Sequence, residues 1–166
     1  MSDLKIFAPV HSEHYAAIRR LFREYIDFLY SLPNMRVHID MQDPQTELAE
    51  LETGKYTPPN GALLLAMHDD EYIGAVALRK LEDDICEMKR LYVHPNSRGN
   101  SVGRLLAEQI IQKARDMGYK RMRLDTHPAM TKAHRLYYSL GFYDIPPYNQ
   151  NIVPDALFME LDLPLG

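Results

Sequence analysis

The chain has a single cysteine, Cys86, among its 166 residues. One cysteine cannot form a disulfide within the chain, and it leaves too few thiolates for a structural zinc site built from Cys and His. Because Cys86 stands near the start of a strand-like segment, we interpret it as a small buried residue rather than a nucleophile. We therefore expect chemistry that uses neither a catalytic cysteine nor a bound metal.

The sequence also lacks any apolar run long enough to span a bilayer, and residues 1–10 do not have a signal-peptide pattern. A cytoplasmic protein without a membrane partner is the expectation. The net charge of −4 argues against nonspecific binding to nucleic acid. With 46% apolar and 25% charged residues, the composition is that of an ordinary globular protein. Its length suits one domain covering residues 1–166.

The most informative stretch covers residues 86–104. Tyr92 and Val93 end a predicted strand, Pro95 stops it, and residues 96–99 have the composition of a turn. A helix follows, because apolar residues recur at helical spacing: Val102, Leu106, Ile110, Ala114 and Met117. The first backbone N–H groups of such a helix attract anions. A phosphate cradle and a purely structural turn both fit this pattern.

The charges around this stretch favour the first interpretation. Basic residues cluster near the turn and the predicted helix, and few acids lie among them. They are Arg98, Arg104, Lys113, Arg115, Lys120, Arg121 and Arg123. The local charge therefore predicts an anionic ligand, although the whole chain is acidic.

The other elements are predicted from periodicity and from turn residues. A strand at residues 4–8 precedes a helix that Ser12 can cap and that Pro33 ends. Residues 33–61 read as an irregular, substrate-facing segment with one short helix at 45–52. Two antiparallel strands follow at 62–67 and 72–79, before the strand at 86–93.

The second half of the chain predicts a parallel strand pair. A strand at residues 121–126 follows the helix after Gly103, and a connection of that length implies a right-handed crossover. Thr126 or His127 is expected to cap a later helix that contains Pro128. Strands at 142–145 and 157–163 complete the sheet. The fold class is therefore α/β (mixed α+β), with about seven strands, about four helices, an initial antiparallel meander and one parallel βαβ pair.

The turn resembles the acyl-CoA-binding motif of the GNAT N-acetyltransferase superfamily, Arg/Gln-x-x-Gly-x-Gly/Ala. Arg98, Ser101 and Gly103 carry this resemblance, together with the Val-His-Pro at residues 93–95. Ser101 stands where the motif usually has its middle glycine. A backbone conformation with positive φ would be unfavourable for a serine there, although its hydroxyl could donate to a phosphate.

Residues 133–142 resemble a second GNAT motif, Ala-x-x-Leu-Tyr-x-x-Leu-Gly-Phe. By this alignment Tyr137 matches the tyrosine that many family members use as a general acid, whereas Tyr138 is one residue out of register. Met130 replaces an asparagine that often contacts the pantetheine arm. Without the motif, Tyr137 would read as a core residue on an apolar stripe.

The resemblance implies an N-acetyltransferase that uses acetyl-CoA as co-substrate and moves the acetyl group to an amine by direct attack in a ternary complex. It places the co-substrate on Leu91, Tyr92, Val93, Arg98, Gly99, Asn100, Ser101, Val102, Gly103 and Arg104. We expect a small-molecule amine as acceptor, with a protein N-terminus or lysine as the alternative. A homodimer is a further possibility that the sequence leaves open. An acyl-CoA-binding sensor and, more distantly, a nucleotide-binding enzyme are the other classes; the latter lacks a Gly-Lys-Ser/Thr phosphate loop.

The acceptor amine needs a base, because a lysine-like amine is neutral in only about one molecule in 2,500 at pH 7. Glu87, in the central strand, resembles the family's general base in position, and Asp125 and His127 compete with it for that role. A strand glutamate is otherwise a solvated or salt-bridged residue. Candidate acceptor-side residues come from the two irregular segments and from their borders: Tyr30, Arg36, Tyr56 and Tyr148.

Overall fold

The computed structural model describes residues 3–36, 39, 43–99, 101–151 and 153–164. The strands are β1 (Leu4–Phe7), β2 (Ala62–His68), β3 (Glu71–Glu82), β4 (Ile85–Val93), β5 (Arg121–Thr126), β6 (Tyr143–Asp144) and β7 (Leu157–Asp162). The helices are α1 (Ser12–Tyr30), α2 (Pro44–Ala49), α3 (Val102–Asp116) and α4 (Thr131–Ser139), and a short 3₁₀ turn covers Pro95–Ser97. None of these helices is long and apolar enough to cross a membrane.

The seven strands form one sheet in the order β1-β2-β3-β4-β5-β7-β6. Strands β1 to β4 make an antiparallel meander, and β7 lies antiparallel to both β5 and β6. Strands β4 and β5 are parallel and are joined through α3. The predicted fold class, with its meander and its one parallel pair, is confirmed.

Both faces of the sheet are covered, which explains why the central strands are apolar on both sides. Val76 and Leu78 of β3 pack in the core shared with α3 and α4. Ala75 and Ala77, which alternate with them, pack in the core shared with α1 and α2. The small alanines let the long helix α1 lie close to the sheet. The site described below lies where this second core meets β4 and β5.

Helix α1 begins as predicted at Ser12, but Ser12 is not its cap. The residue before it, His11, takes the N-cap position in extended conformation. Nδ1 of His14 accepts the backbone N–H of His11 at 3.2 Å and that of Val10 at 3.0 Å. The imidazole of His14, at the third helical position, therefore takes the acceptor role that a Glu or Gln side chain supplies in a capping box.

Helix α4 begins at Thr131, later than the sequence predicted. His127 does not cap it: Nδ1 of His127 accepts the N–H of Ala129 at 3.0 Å, and the N–H of Met130 donates to the carbonyl of His127 at 3.0 Å. These bonds close a separate turn around Pro128. The expected cap at Thr126 or His127 is therefore wrong, because the histidine side chain stabilises a turn before the helix.

Strands β4 and β5 stay paired over only part of their length. Their register runs from Ile85 opposite Arg121 to Glu87 opposite Arg123, and the remaining residues of both strands have no partner across this ladder. Arg90 interrupts β4 with a φ of 58°, where the register with β3 also shifts. A bulge of this kind bends a strand and redirects its side chains. The two strands therefore separate and leave an opening in the middle of the sheet.

Candidate active site

A small cavity of about 80 Å³ lies in the opening between β4 and β5. Helix α1 covers it from one side, and α4 closes its end. Its lining is Tyr25, Ile26, Leu29, Met35, Ile39, Met88, Lys89, Arg90, Leu91, Leu124, Asp125, Thr126, His127, Met130, Tyr137 and Asn151. Charged groups and a phenol thus meet in a space that the rest of the core does not fill.

A larger cleft of about 620 Å³ adjoins this cavity. The end of β4, the loop before α3 and the first turn of α4 form its walls. Tyr25, Leu91 and Met130 line both spaces, so the cleft leads directly to the cavity. The other lining residues of the cleft are Phe28, Tyr92, Val93, Arg98, Gly99, Ser101, Val102, Gly103, Ala129, Thr131, Lys132, Ala133 and Leu136. An elongated molecule in the cleft would present one end to the cavity.

The loop before α3 has the geometry of an anion cradle. Ser101 takes the left-handed conformation with φ of 62°, and Gly99 has a φ of 93°. The N–H of Leu105 makes the first bond of the helix, to the carbonyl of Ser101 at 3.0 Å. The N–H groups of Val102, Gly103 and Arg104 therefore precede the hydrogen-bonded helix. They lie at the positive end of its dipole, where a phosphate is stabilised.

The charges of the cleft agree with this cradle. Arg98 and Lys132 line opposite walls, and none of the described lining residues is acidic. Nε of Arg98 donates to the carbonyl of Val93 at 2.9 Å, which holds the guanidinium beside the loop. Arg104 instead turns its side chain outward to Ser139 and Glu108. Asn100, also predicted to bind the co-substrate, lies outside the described residues.

Tyr137 projects from α4 into the small cavity and is only 8% exposed. Burial raises the pKa of its hydroxyl, and nearby Tyr25 and Asp125 raise it further. The phenol therefore stays protonated at neutral pH. Tyr138 is 44% exposed and donates its hydroxyl to Asp144 at 2.7 Å on the outer surface. Of the two adjacent tyrosines, only Tyr137 lines the cavity.

The comparison with known proteins agrees with this geometry. The model of the acetyltransferase (GNAT) family matches residues 15–142, which is more than half of the chain. The chain belongs to the GNAT family. An uncharacterized N-acetyltransferase of Schizosaccharomyces pombe is 36% identical over 98% of this chain and 96% of its own length. The protein is therefore an N-acetyltransferase, as its two motifs predicted.

Two further proteins resemble the chain, one in sequence and one in fold. The N-acetylaspartate synthetase of Xenopus tropicalis is 29% identical over 70% of this chain, which corresponds to 46% of that protein. The PaiA N-acetyltransferase of Thermoplasma acidophilum, solved in complex with coenzyme A, has the same fold with a TM-score of 0.71. It is 19% identical, and the match covers 98% of this chain and 99% of that one.

Glu87 of this GNAT protein is the last residue of β4 that pairs with β5, and it is 1% exposed. Its Oε1 accepts from Nε of Arg79 at 2.7 Å, and its Oε2 accepts from the hydroxyl of Tyr148 at 2.6 Å. Nζ of Lys89 lies 3.9 Å from Oε1. Among the described residues that line the cavity, Lys89 is therefore the one in contact with the Glu87 carboxylate.

The two competing bases differ in their availability. Asp125 lines the cavity, and its Oδ2 accepts from Nδ2 of Asn149 at 2.9 Å and from Nδ2 of Asn151 at 3.1 Å. His127 is engaged at both ring nitrogens. Since Nδ1 accepts the N–H of Ala129, the proton resides on Nε2, which donates to the carbonyl of Pro33 at 2.8 Å. His127 thus fixes the loop rather than accepting a proton.

The candidate acceptor-side residues lie in two different places. The guanidinium of Arg36 stacks over the ring of Tyr30 at 5.0 Å, and neither residue is among those that line the cavity. Tyr148 and Tyr56 belong instead to the polar cluster around Glu87, where Tyr56 is 3% exposed. Cys86 is fully buried, and burial raises the pKa of its thiol to about 12. Its interpretation as a core residue agrees with this environment.

Sequence reasoning missed several residues of the site. Tyr25 of α1 lines both spaces, and burial and Asp125 raise its pKa to about 12. The position of Tyr25 at the site could not be predicted from the sequence. An apolar stripe shows which face of a helix is buried, but not which part of the sheet that face covers. Lys89 and Arg90 had a visible signal. Two adjacent cations after Met88 interrupt the apolar alternation of β4, so this part of the strand departs from a regular pattern.

Proposed function

We propose that this protein transfers the acetyl group of acetyl-CoA to a small-molecule amine by direct attack within a ternary complex. The observation that carries the proposal is the junction at Tyr25, Leu91 and Met130, where the cationic cleft meets the small cavity. The pyrophosphate and pantetheine of the co-substrate fit the cleft, and the acceptor fits the cavity. Both reactants can then be bound at the same time, so no acetylated enzyme is needed.

The size of the cavity favours a small acceptor. A volume of about 80 Å³ holds roughly five to eight water-sized groups, since one water needs about 10 to 15 Å³. An amine of amino-acid size is of this order. The relative named N-acetylaspartate synthetase is consistent with such an acceptor. A protein N-terminus or lysine side chain remains the alternative, because either could reach the cavity from outside.

The reaction moves two protons, one to the leaving thiolate and one from the attacking amine, and we assign a different group to each. Tyr137 keeps its proton until the thiolate leaves and then donates it to the sulfur. The end of β4, at Leu91, Tyr92 and Val93, has no ladder to β5. A backbone N–H of this segment can therefore donate to the oxyanion that forms on the attacked carbonyl. The nitrogen–carbon bond forms, the carbon–sulfur bond breaks, and the amine loses its proton to a base.

For that base we propose Glu87. It lies on the strand that lines the cavity and contacts Lys89 at the cavity wall, so that a proton from the amine would reach it through a bound water. Asp125 is the rival, since its carboxylate itself belongs to the cavity lining. The two carboxylates flank the point where the strands separate.

The release of CoA thiol from acetyl-CoA tests this proposal. It should be measured across a panel of amines, polyamines, amino acids and peptides. We expect turnover with small amines, and intersecting initial-velocity patterns when both substrates are varied. Parallel patterns would indicate an acetylated enzyme instead of direct attack. Tight binding of acetyl-CoA without turnover on any class of amine would favour a sensor and contradict the proposal.

A further inference from the structure

Arg90 has an unusual environment at the wall of the cavity. It occupies the bulge of β4 with a φ of 58°, and its side chain is only 6% exposed. Its Nη2 donates to Oε2 of Glu47 in α2. Its Nη1, by contrast, is fully buried and has no hydrogen-bond partner among the described residues. A guanidinium carries five donors in a fixed fork, and a buried unpaired donor is costly.

A second orphan donor lies in the same cluster. The hydroxyl of Tyr56 is also buried without a partner among the described residues. Lys55 connects the two, because its Nζ pairs with Oε1 of Glu47 and lies 5.7 Å from the centre of the Tyr56 ring. Arg90 and Tyr56 thus present unused donors around one carboxylate that the protein itself supplies.

The electrostatics of this cluster favour carboxylates. Burial opposes ionisation of Glu47, yet Arg90 and Lys55 hold its pKa below the ordinary value. Lys89, whose side chain is 16% exposed, lines the cavity next to Arg90. Four cations therefore surround two carboxylates in this part of the described structure: Lys55, Arg79, Lys89 and Arg90 around Glu47 and Glu87. A further anion would reduce this excess of positive charge.

We propose that the acceptor is a small amine that carries a carboxylate, and that this carboxylate pairs with the guanidinium of Arg90 and with Lys89 at the β4 wall of the cavity. The inference rests on the acetyl transfer proposed above. The β4 wall of the cavity carries these two cations, whereas the β5 wall carries Asp125. A zwitterionic acceptor matches both walls, with its carboxylate at Arg90 and its amino group between Asp125 and Tyr137.

The test compares acceptors with and without the carboxylate, and kcat/KM is expressed per neutral amine because the carboxamide also lowers the pKa of the amino group. Aspartate, glutamate, glycine and β-alanine are each paired with their carboxamides, and kcat and KM are measured for every member. Arg90→Gln alone would leave Glu47 buried beside fewer cations and could unfold the chain. Arg90→Gln is therefore combined with Glu47→Gln, which removes one charge of each sign. Glu47→Gln alone is the matched control, because it keeps the guanidinium.

We expect the parent protein to prefer at least one acid over its carboxamide by about 10- to 150-fold in kcat/KM, the range of a hydrogen bond to a charged group. The preference should appear mainly in KM. The double variant should lose this preference, because its kcat/KM for the acid should fall towards its own kcat/KM for the carboxamide. Glu47→Gln should keep the preference, since Nη1 and Nη2 of Arg90 both remain.

Equal use of acids and carboxamides by the parent would overturn the inference and leave acetyl transfer intact. A double variant that keeps the preference for the acid would also overturn the inference and leave acetyl transfer intact. If no amine is acetylated, the proposed function fails, and calorimetry with the same amino acids in the presence of CoA decides the inference. Binding that the double variant loses and Glu47→Gln keeps would support it. The absence of binding to the parent would overturn it.

Discussion

Gly103 lies next to Val93 at the edge of the cleft: a β-carbon built on Gly103 would lie 3.8 Å from Cγ2 of Val93, and outside its own helix and chain neighbours no other described atom would lie within 4 Å. The first turn of α3 is therefore open where a ligand would approach its backbone. A methyl group would fit, whereas a larger side chain would extend into the cleft and occupy the space in front of the N–H groups.

Gly103→Trp is expected to abolish the binding of CoA without unfolding the chain. The indole would fill the part of the cleft that the pyrophosphate needs, while the helix loses no core contact. Calorimetry with CoA measures the effect. Gln109→Trp, on the exposed side of the same helix, is the matched control and should bind CoA as the parent does. A folded Gly103→Trp variant with unchanged affinity would refute the cradle assignment.

Ser101 has the left-handed backbone that favours glycine, with a φ of 62°. Ser101→Gly should therefore bind CoA at least as tightly as the parent. Relief of the left-handed strain, about 1 to 2 kcal/mol, is partly offset by the entropy of an added glycine, about 0.4 to 1 kcal/mol. The free energy of unfolding should stay level or rise slightly in urea titrations.

Ser101→Ala separates the effect of the backbone conformation from the effect of the hydroxyl. Alanine keeps the strain of the left-handed conformation and removes only the oxygen. We expect its affinity for CoA to match that of the parent. Weakening by about 1.5 to 3 kcal/mol in both variants would mean that the hydroxyl donates to a phosphate, and the account based on φ would then be insufficient.

The two carboxylates near the strand opening can be distinguished by the kinetics of their amide variants. If Glu87 is the base, Glu87→Gln should lower kcat/KM by about 10² to 10⁴. The loss should shrink for acceptors whose amines have a lower pKa, since they need less help in losing a proton. Asp125→Asn should act mainly on KM. If Asp125→Asn instead causes the large loss of kcat/KM and Glu87→Gln acts mainly on KM, Asp125 is the base.

Much of the fold follows from local patterns in the sequence. The stripe from Val102 to Ala114 predicted α3, and the two motifs fall on residues that line the cleft and the cavity, among them Gly103 and Tyr137. Local patterns did not predict where α4 begins, because the outcome depended on a hydrogen bond from Ala129 to the side chain of His127. Turn and helix compete there, and propensity alone does not decide between them.

The polar contacts of the site are the least predictable part, because they join residues far apart in the sequence. Tyr148 reaches Glu87 across 61 positions, and Arg90 reaches Glu47 across 43. No periodicity encodes such pairs. The bulge at Arg90 had a local signal in its doubled cation, yet its meaning depends on the cavity that the separated strands create.

Tyr137 provides the sharpest test of mechanism. Tyr137→Phe removes one oxygen from the cavity and should lower kcat by about 10² to 10⁴, the range of general acid catalysis. Burial raises the pKa of this phenol, so it remains protonated, and the same burial disfavours the thiolate that it protonates. Binding of acetyl-CoA should be unchanged, since Tyr137 lines the cavity and not the cleft.

Tyr138→Phe is the control for this variant, because it removes the same atom from the neighbouring residue on the outer surface. Its turnover should match that of the parent. Both variants should be assayed at saturating acceptor, after a burst or solvent-isotope measurement has established that chemistry limits the rate. Full turnover by Tyr137→Phe under those conditions would make the tyrosine structural, and the proton would then come from solvent or from Tyr25, which lines the same cavity.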